Sequence, residues 1–283
     1  MRSSALVQAL EELGWSKGHN LRIDYRWGAG DAELFRRYSE ELLALRPDAI
    51  LATGTPVVEA LQRVTRAVPI VFVTVIDPVG AGFVESLARP GGNTTGFSLF
   101  DFSMSGKWVE LLKEIVPQVT RVAVLRDPAI ASGTGQLAAI QAVAPSFGLE
   151  LSPVGVRNAD EIERSLAEFA SQSNGSIIVT ASTLALVHRK LIIELAERYR
   201  LPAIYGDRTF AIAGGLISYG PNRVEPYRRA AGYLHRILKG ERPSDLPVQA
   251  PTTYELVINL KTAKTLDLTV PYAVLTRATE VIE

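Results

Sequence analysis

The sequence has no cysteine in 283 residues and only three histidines. Without cysteine there are no disulfides, thiolate zinc sites, iron–sulfur clusters or cysteine nucleophiles. His19 lies in a predicted turn, whereas His188 and His235 lie within predicted helices. None of the three stands near a nucleophile or a second metal ligand in the sequence. We therefore expect no catalytic residue and no metal ligand, and we predict that the chain is not an enzyme.

Long apolar runs and an excess of one charge are also missing. No run approaches the roughly 18–20 residues of a membrane span. The opening residues lack the apolar core of a signal peptide, so the chain as given is predicted to carry none. Lys and Arg total 30, as do Asp and Glu, and this balance does not favour nucleic-acid binding. We expect no nucleic-acid partner and no direct membrane insertion.

Nucleotide and hydrolase motifs are absent or weak. There is no G-x-x-x-x-G-K-[ST] phosphate loop and no G-x-S-x-G elbow. The segment "GTGQLA" (133–138) fits a dinucleotide fingerprint, but five residues separate it from the preceding predicted strand. A dinucleotide turn is tight, so we interpret this segment as a loop and the start of a helix. No cofactor is expected.

Apolar segments alternate with helical patterns along most of the chain, in two successive series. Strands are predicted at 21–27, 49–53, 69–75, 94–98, 121–127, 149–156, 176–181, 202–205 and 215–220. Helices are predicted at 31–45, 56–65, 79–88, 104–116, 135–147, 159–170, 182–200 and 225–240. Continuous apolar strands separated by helices indicate parallel sheets covered on both faces. The pattern predicts an α/β protein with two similar lobes.

Within the helices, particular residues predict ends and faces. Asp31 and Ser182 stand where an N-cap is expected. In the helix at 104–116, five apolar residues recur at helical spacing and define one buried face. They are Trp108, Leu111, Leu112, Ile115 and Val116.

The segment "AILATGTPVVEALQRV" (49–64) joins a strand directly to a helix through Thr53-Gly54-Thr55. The start of a helix presents free N–H groups and a positive dipole end, which suit an anion or a carboxylate. In doubly wound sheets, ligands lie beyond the carboxyl ends of the strands. The polar residues predicted there are Thr53, Gly54, Thr55, Thr74, Asp77, Asp127, Ser132, Thr180, Ser182, Tyr205, Asp207, Tyr219 and Asn222. For Asp77, capping of the next helix and ligand contact both stay open.

Long stretches of the chain resemble one known family. They include "PIVFVTVIDPVGAGFVESLARPGGNTTGFS" (69–98), "ALEELGWSKGHNLRIDYRWGAGD" (9–31) and "RRAAGYLHRILKGERPSDLPVQAPTTYELVINLKTAKTLDLTVP" (228–271). The sequence resembles the substrate-binding proteins of ABC importers, in the aromatic/branched amino-acid-like group. The resemblance implies a type I periplasmic-binding fold: two Rossmann-like lobes with parallel sheets, three crossovers and a ligand clamped between the lobes.

The resemblance also implies the domain boundaries and the partners. The first lobe would comprise 1–100 and 221–248, and the second 101–220 and 249–283. The ligand would be a small polar or amino-acid-like molecule, held in part by the Thr-Gly-Thr and Asp-Pro junctions. An ABC permease and ATPase subunits would be the protein partners, and the full-length protein would be periplasmic or otherwise extracytoplasmic.

One departure from the family pattern affects the first lobe. Family members begin with a signal peptide and a strand before the helix matched here by "ALVQALEELGW" (5–15). We therefore expect a fragment, a misassigned start or a degenerate copy, and an unstable first lobe. The alternative function is a cytosolic ligand sensor or an enzyme on the same two-lobe scaffold. An enzyme would need an activated acid, base or nucleophile, and a sensor would need an output domain; the sequence reveals neither.

Overall fold

The protein is represented by a computed structural model that describes residues 2–99 and 102–283. The chain divides into two compact units. One comprises residues 1–100 and 222–253, and the other comprises 101–221 and 254–283. Neither unit is a continuous segment, because the chain passes from one to the other three times.

Helices and strands alternate along most of the chain. The helices are α1 (Arg2–Glu12), α2 (Ala32–Ala44), α3 (Thr55–Val64), α4 (Ser105–Ile115), α5 (Ala131–Val143), α6 (Ala159–Phe169), α7 (Thr183–Val187), α8 (Arg189–Arg198), α9 (Arg208–Ile212), α10 (Glu225–Leu238), α11 (Leu260–Thr265) and α12 (Tyr272–Leu275). The strands are β1 (Ile50–Thr53), β2 (Ile70–Val75), β3 (Thr94–Ser98), β4 (Arg121–Arg126), β5 (Glu150–Gly155), β6 (Gly175–Val179), β7 (Ala203–Tyr205), β8 (Ile217–Pro221), β9 (Tyr254–Asn259) and β10 (Glu280–Ile282).

The sheet of the first unit is parallel, with the order β1-β2-β3. Its strands are apolar on both faces because helices cover both. On one face, Val71 and Val73 pack in a cluster with residues of α1 and α10. On the other face, Ile70 and Phe72 pack in a cluster with residues of α3. This sandwich fixes the carboxyl ends of β1 and β2 at one edge of the sheet.

The sheet of the second unit has seven strands in the order β10-β9-β8-β7-β6-β4-β5. All neighbouring pairs are parallel except β8 and β9, which are antiparallel. The predicted apolar face of α4 is confirmed, because all five of its residues are buried. The α/β class with parallel sheets is also confirmed, with this one antiparallel pair added by the returning chain.

The chain returns from α10 to the second unit later than the sequence suggested. Gln249 donates its N–H to the carbonyl of Gly96 and accepts the N–H of Ser98, both at 2.9 Å. These two backbone bonds hold residues 249–253 beside β3, in the first unit. The segment 249–253 was predicted to open the second lobe, and its extended pattern gave no sign of which sheet it would join.

The predicted strand at 21–27 is wrong. Apart from an isolated bridge between Lys17 and Leu21, these residues pair with no described strand. Their alternation of apolar and polar side chains indicated an extended chain, which is only half of what a strand requires. A strand also needs a partner for its backbone groups, and pattern alone does not supply one.

The predicted helix at 79–88 is also wrong, because these residues form a turn followed by bends. Gly82 has a left-handed φ of 71°, which ends any helix that approaches it. The N–H of Glu85 then bonds to the carbonyl of Pro90 at 2.9 Å, so the chain folds back on itself. Two glycines within the apolar pattern were the signal for these turns.

The remaining predicted strands are present, and their ends differ by at most two residues. The predicted helix at 182–200 is split at His188 into α7 and α8. The helix predicted at 135–147 begins four residues earlier as α5 and gives way to a 3₁₀ turn at 144–147. The short elements α9, α12 and β10 had no sequence pattern strong enough to predict them.

Candidate ligand-binding site

The junction between β1 and α3 presents free backbone donors. Gly54 precedes the helix with φ 85° and ψ 156°, a conformation that glycine adopts without strain. No side chain caps this helix, and Pro56 has no N–H to satisfy. The N–H groups of Thr55 and Val57 therefore point out of the first turn without an intrahelical acceptor. An acceptor placed there would also meet the positive end of the helix dipole.

Thr53 is joined to α10 by a hydrogen bond within the first unit. Its Oγ1 lies 3.1 Å from the hydroxyl of Tyr227. The ring of Tyr227 packs in the apolar cluster of α10, so its hydroxyl is positioned by buried contacts. Tyr227 was not among the residues predicted to contact the ligand. Its place beside Thr53 follows from the return of α10 to the first unit.

Thr74, near the end of β2, and Asp77, just after it, have unusual backbone conformations. Thr74 has φ 59° and Asp77 has φ 58°, both left-handed. Thr74 is the extra residue of a bulge, since Val73 pairs with Phe97 while Val75 pairs with Ser98. A β-branched residue at positive φ is strained, and such strain clusters at ligand sites.

Neighbouring strands bring these residues to the same edge. Thr53 is in register with Val73, so Thr74 and Gly54 follow directly on adjacent strands. The helix that Asp77 was predicted to cap is absent, and its carboxylate stabilises a turn instead. Its Oδ1 accepts the N–H of Gly80 at 2.8 Å.

In the second unit, the predicted polar side chains at the ends of β4 and β6 form internal hydrogen bonds. The hydroxyl of Thr180 donates to the carbonyl of Leu125 at 3.0 Å. Ser182 caps α7 by accepting the N–H of Ala185, which confirms its predicted N-cap role. Asp127 accepts the N–H of Ala129 at 2.9 Å. The side chain of Ser132 lies outside the described part of the structure.

Tyr205 and Asp207 have different surroundings from those predicted. The ring of Tyr205 is 1% exposed and stacks on Phe210, with 4.5 Å between the ring centroids. Burial raises the pKa of this phenol far above its usual value, so the hydroxyl stays neutral. Asp207 caps α9, where its Oδ1 accepts both the N–H and the hydroxyl of Thr209. Tyr205 belongs to the core because the alternation along β7 turns its side chain toward the helices.

Tyr219 and Asn222 close the set of predicted residues. Tyr219 is half-buried in β8 and stacks on Tyr254 at 5.7 Å between centroids. Burial raises the pKa of the Tyr219 phenol, Lys107 lowers it and Glu110 raises it. Asn222 belongs to the first unit, where its Oδ1 accepts the N–H groups of Val224 and Glu225 and so starts α10.

Metal and membrane signatures are absent from the described residues. Across 2–99 and 102–283, no three histidine, cysteine or carboxylate side chains cluster closely enough to hold a metal ion. No helix within those ranges is long and apolar enough to span a membrane.

His235 has a structural role. It accepts the indole N–H of Trp15 at 3.0 Å, and this bond links the loop after α1 to α10.

The fold defines the class of this protein as a two-unit α/β protein built on largely parallel sheets. A family model for ABC transporter substrate binding proteins matches residues 2–282. The chain therefore belongs to that family of solute-binding proteins, and the predicted resemblance is confirmed. This membership favours solute binding over the alternative of a sensor or an enzyme.

Individual relatives agree with the family. The chain is 25% identical over 262 residues to the tyrosine-binding protein of Clostridioides difficile strain R20291, covering 93% of this chain and 75% of the relative. It superposes with a TM-score of 0.89 on an ABC domain from Streptococcus pneumoniae in complex with L-Trp, at 26% identity, covering 99% and 93% of the two chains. A conserved domain protein of Vibrio cholerae gives a TM-score of 0.88 at 29% identity, with 98% and 93% covered.

Proposed function

We propose that this substrate-binding protein takes a small amino-acid-like solute at the carboxyl ends of its strands and delivers it to an ABC permease and its ATPase subunits. The relatives that bind tyrosine and L-Trp support an amino acid as the ligand class. Among the predicted residues, we keep Thr53, Gly54, Thr55, Thr74 and Asp77 in the first unit. In the second unit, we keep Asp127, Thr180, Ser182, Asp207 and Tyr219, and we leave out Tyr205.

The observation that carries the proposal is the junction at Gly54. Its free N–H donors and the helix dipole form a site for a hydrogen-bond acceptor beside the strained bulge at Thr74. An acceptor oxygen of the solute, charged or neutral, satisfies such donors without any proton transfer, because it only accepts hydrogen bonds. The site is therefore suited to holding a solute, and we expect no turnover. We also place the working protein outside the cytoplasm, where an importer collects its solute.

The test is a ligand panel with the purified chain. Thermal shift screening would cover amino acids, other carboxylates and purine nucleosides, and calorimetry would be run on each compound that stabilises the protein. We expect saturable binding of at least one amino acid, recovered chemically unchanged after incubation. At a ligand concentration 100 times its Kd, the unfolding free energy should rise by about 2.7 kcal/mol.

Two results would contradict the proposal. Conversion of the bound compound into a product would show an enzyme, and a nucleoside bound in preference to every amino acid would change the ligand class. A histidine variant is a control for the binding measurement, because His188 has no proposed role in binding or catalysis. His188→Ala should leave binding unchanged, because His188 marks only the break between α7 and α8.

A further inference from the structure

The first turn of α5, at the end of β4, lacks a capping side chain. The residue in the cap position is Ile130, which has no hydrogen-bond acceptor in its side chain. The helix has 13 residues, long enough for an appreciable dipole. A helix start without a cap leaves N–H groups in need of an acceptor. An uncapped helix start is by itself an ordinary feature. Here two neighbouring side chains also carry buried hydrogen-bond donors without partners.

The first of these side chains is Gln136, which is completely buried. Its Oε1 accepts the N–H of Ala181 at 2.9 Å, and this bond fixes which end of the amide is oxygen. The other end, Nε2, is buried and has no hydrogen-bond partner. Gln136 is the sixth residue of α5 and its amide contacts Ala181 just beyond β6, which directs it toward the N-terminal half of α5, as expected for a long side chain of a helix.

The second side chain is Arg126, the last residue of β4. Its Nε is buried and without a partner. Its Nη1 has a 3.5 Å bond to the hydroxyl of Thr134, in the first turns of α5. Arg126 forms no ion pair with any described residue. Leu125 packs on the opposite face of the sheet, so strand alternation turns Arg126 toward α5.

These groups share one electrostatic character. A guanidinium, a buried amide donor and a helix start all favour negative charge, and none of them has an anionic partner among the described residues. Asp127, the nearest carboxylate in sequence, already accepts the N–H of Ala129. A buried donor without an acceptor is costly and is rare in native proteins. An oxygen anion bound at this end of α5 would supply an acceptor for these donors.

We propose that Arg126, Gln136 and the first turn of α5 form a subsite for an oxygen anion of the solute, either a carboxylate or a phosphate. This inference rests on the proposed solute-binding function and assigns a part of the ligand to the second unit. The sequence prediction missed both side chains. Arg126 was included in a strand, and Gln136 was placed at the start of a helix without a binding role.

The test compares variants with matched acids and neutral analogues. Arg126→Gln removes the charge. Gln136→Glu keeps the acceptor for Ala181 but replaces the free donor with an oxygen. Arg121→Gln is the control, because Arg121 lies at the other end of β4, over the ring of Phe169, and also has a buried unpartnered nitrogen. Circular dichroism melts would establish that each variant is folded.

Calorimetry would use L-tyrosine with L-tyrosinamide and L-tryptophan with L-tryptophanamide. For the phosphate arm, it would use adenosine monophosphate with adenosine, and inorganic phosphate alone. We expect the acidic member of one pair to bind the wild-type protein. Arg126→Gln and Gln136→Glu should each weaken that binding about 10- to 100-fold, the effect of losing a charge-assisted hydrogen bond. Binding of the neutral analogue should be unaffected, and Arg121→Gln should match the wild type.

The outcomes separate this inference from the function on which it rests. If the wild type binds an acid and both variants bind it equally well, the subsite is wrong and the binding function stands. If the variants weaken the acid and its neutral analogue equally, the subsite does not recognise an anion and the inference fails. If the wild type binds none of the compounds, the inference and the proposed amino-acid ligand fail together.

Discussion

At the scale of the residue, hydrogen-bond partners distinguish the candidate ligand contacts from one another. Thr180, Ser182 and Asp207 use their side-chain groups on backbone atoms or neighbouring hydroxyls of the second unit. The N–H of Thr55 has no such partner, because no side chain caps α3. A polar residue at a strand end is thus a candidate for ligand contact. Its hydrogen bonds within the protein determine which of its donors and acceptors stay available to a ligand.

The first prediction concerns Thr55→Val. The change removes one hydroxyl and leaves the backbone amides of the junction in place. Solute binding should weaken by about 0.5–1.5 kcal/mol if the hydroxyl meets a neutral group, and by about 1.5–3 kcal/mol if it meets a charge. Calorimetry with the amino acid found in the panel measures this difference. Thr65→Val, at the other end of α3, is the control, and unchanged affinity in Thr55→Val would remove its side chain from the site.

The second prediction concerns Trp108, which is fully buried in α4. Its indole N–H donates to the carbonyl of Tyr219 at 2.7 Å. Trp108→Phe should lower the unfolding free energy by about 1–3 kcal/mol from the unpaired carbonyl alone, and the smaller ring adds a cavity cost. Urea unfolding followed by circular dichroism measures the loss. A change below about 0.5 kcal/mol would show that the bond contributes little.

At the scale of the element, backbone approach constrains the first sheet as strongly as side-chain packing does. β3 pairs with β2 in parallel, with Phe72 opposite Gly96, whose φ is 154°. A Cβ built on Gly96 would lie 2.1 Å from the carbonyl oxygen of Phe72. Nothing flexible can move aside there, because the obstructing atom belongs to the backbone of the central strand.

The third prediction concerns this close approach. Gly96→Ala should destabilise the first unit by about 3 kcal/mol or more, since it forces β3 away from β2. Gly92→Ala is a matched control in the loop before β3, where a Cβ would meet no atom within 4 Å. Hydrogen exchange should show lost protection in β2 and β3 of the Gly96 variant. Equal stability of the two variants would contradict the close approach.

At the scale of the whole molecule, each unit is built from separated parts of the chain. The apolar cluster between the first sheet and its helices combines Val71, Val73 and Phe97 with side chains of α10. Those side chains come from residues 222–253, more than 100 positions further along the chain. Contacts of such separation form late and at a high entropy cost, so neither series of strands is expected to fold independently.

The fourth prediction tests this dependence with a fragment. Residues 1–100 alone should show no cooperative unfolding transition, because one face of their sheet would be exposed without α10. The same fragment joined to residues 222–253 by a flexible linker should recover helical signal and protection in β2. A cooperative transition in the shorter fragment would mean that α10 is dispensable for the first unit.

Much of the fold could be predicted because it depends on local patterns. Asp31 caps α2 through the N–H groups of Glu33 and Leu34, as its position before an apolar helix predicted. The predictions failed where the local pattern did not determine the backbone hydrogen bonds of the segment. Residues 21–27 have the pattern of a strand without a described neighbour, and residues 79–88 have apolar residues at helical spacing interrupted by glycines.

The amino-acid sequence by itself determined the α/β class, most element positions and the junction at Gly54, because helix and strand periodicity and glycine's backbone freedom are local properties. Only the tertiary structure decided which polar groups are free. The bond from Ala181 to Gln136 joins residues 45 positions apart, and the one between Thr53 and Tyr227 spans 174. Hydrogen bonds between residues so far apart in sequence depend on how strands and helices pack, and local periodicity does not specify that packing.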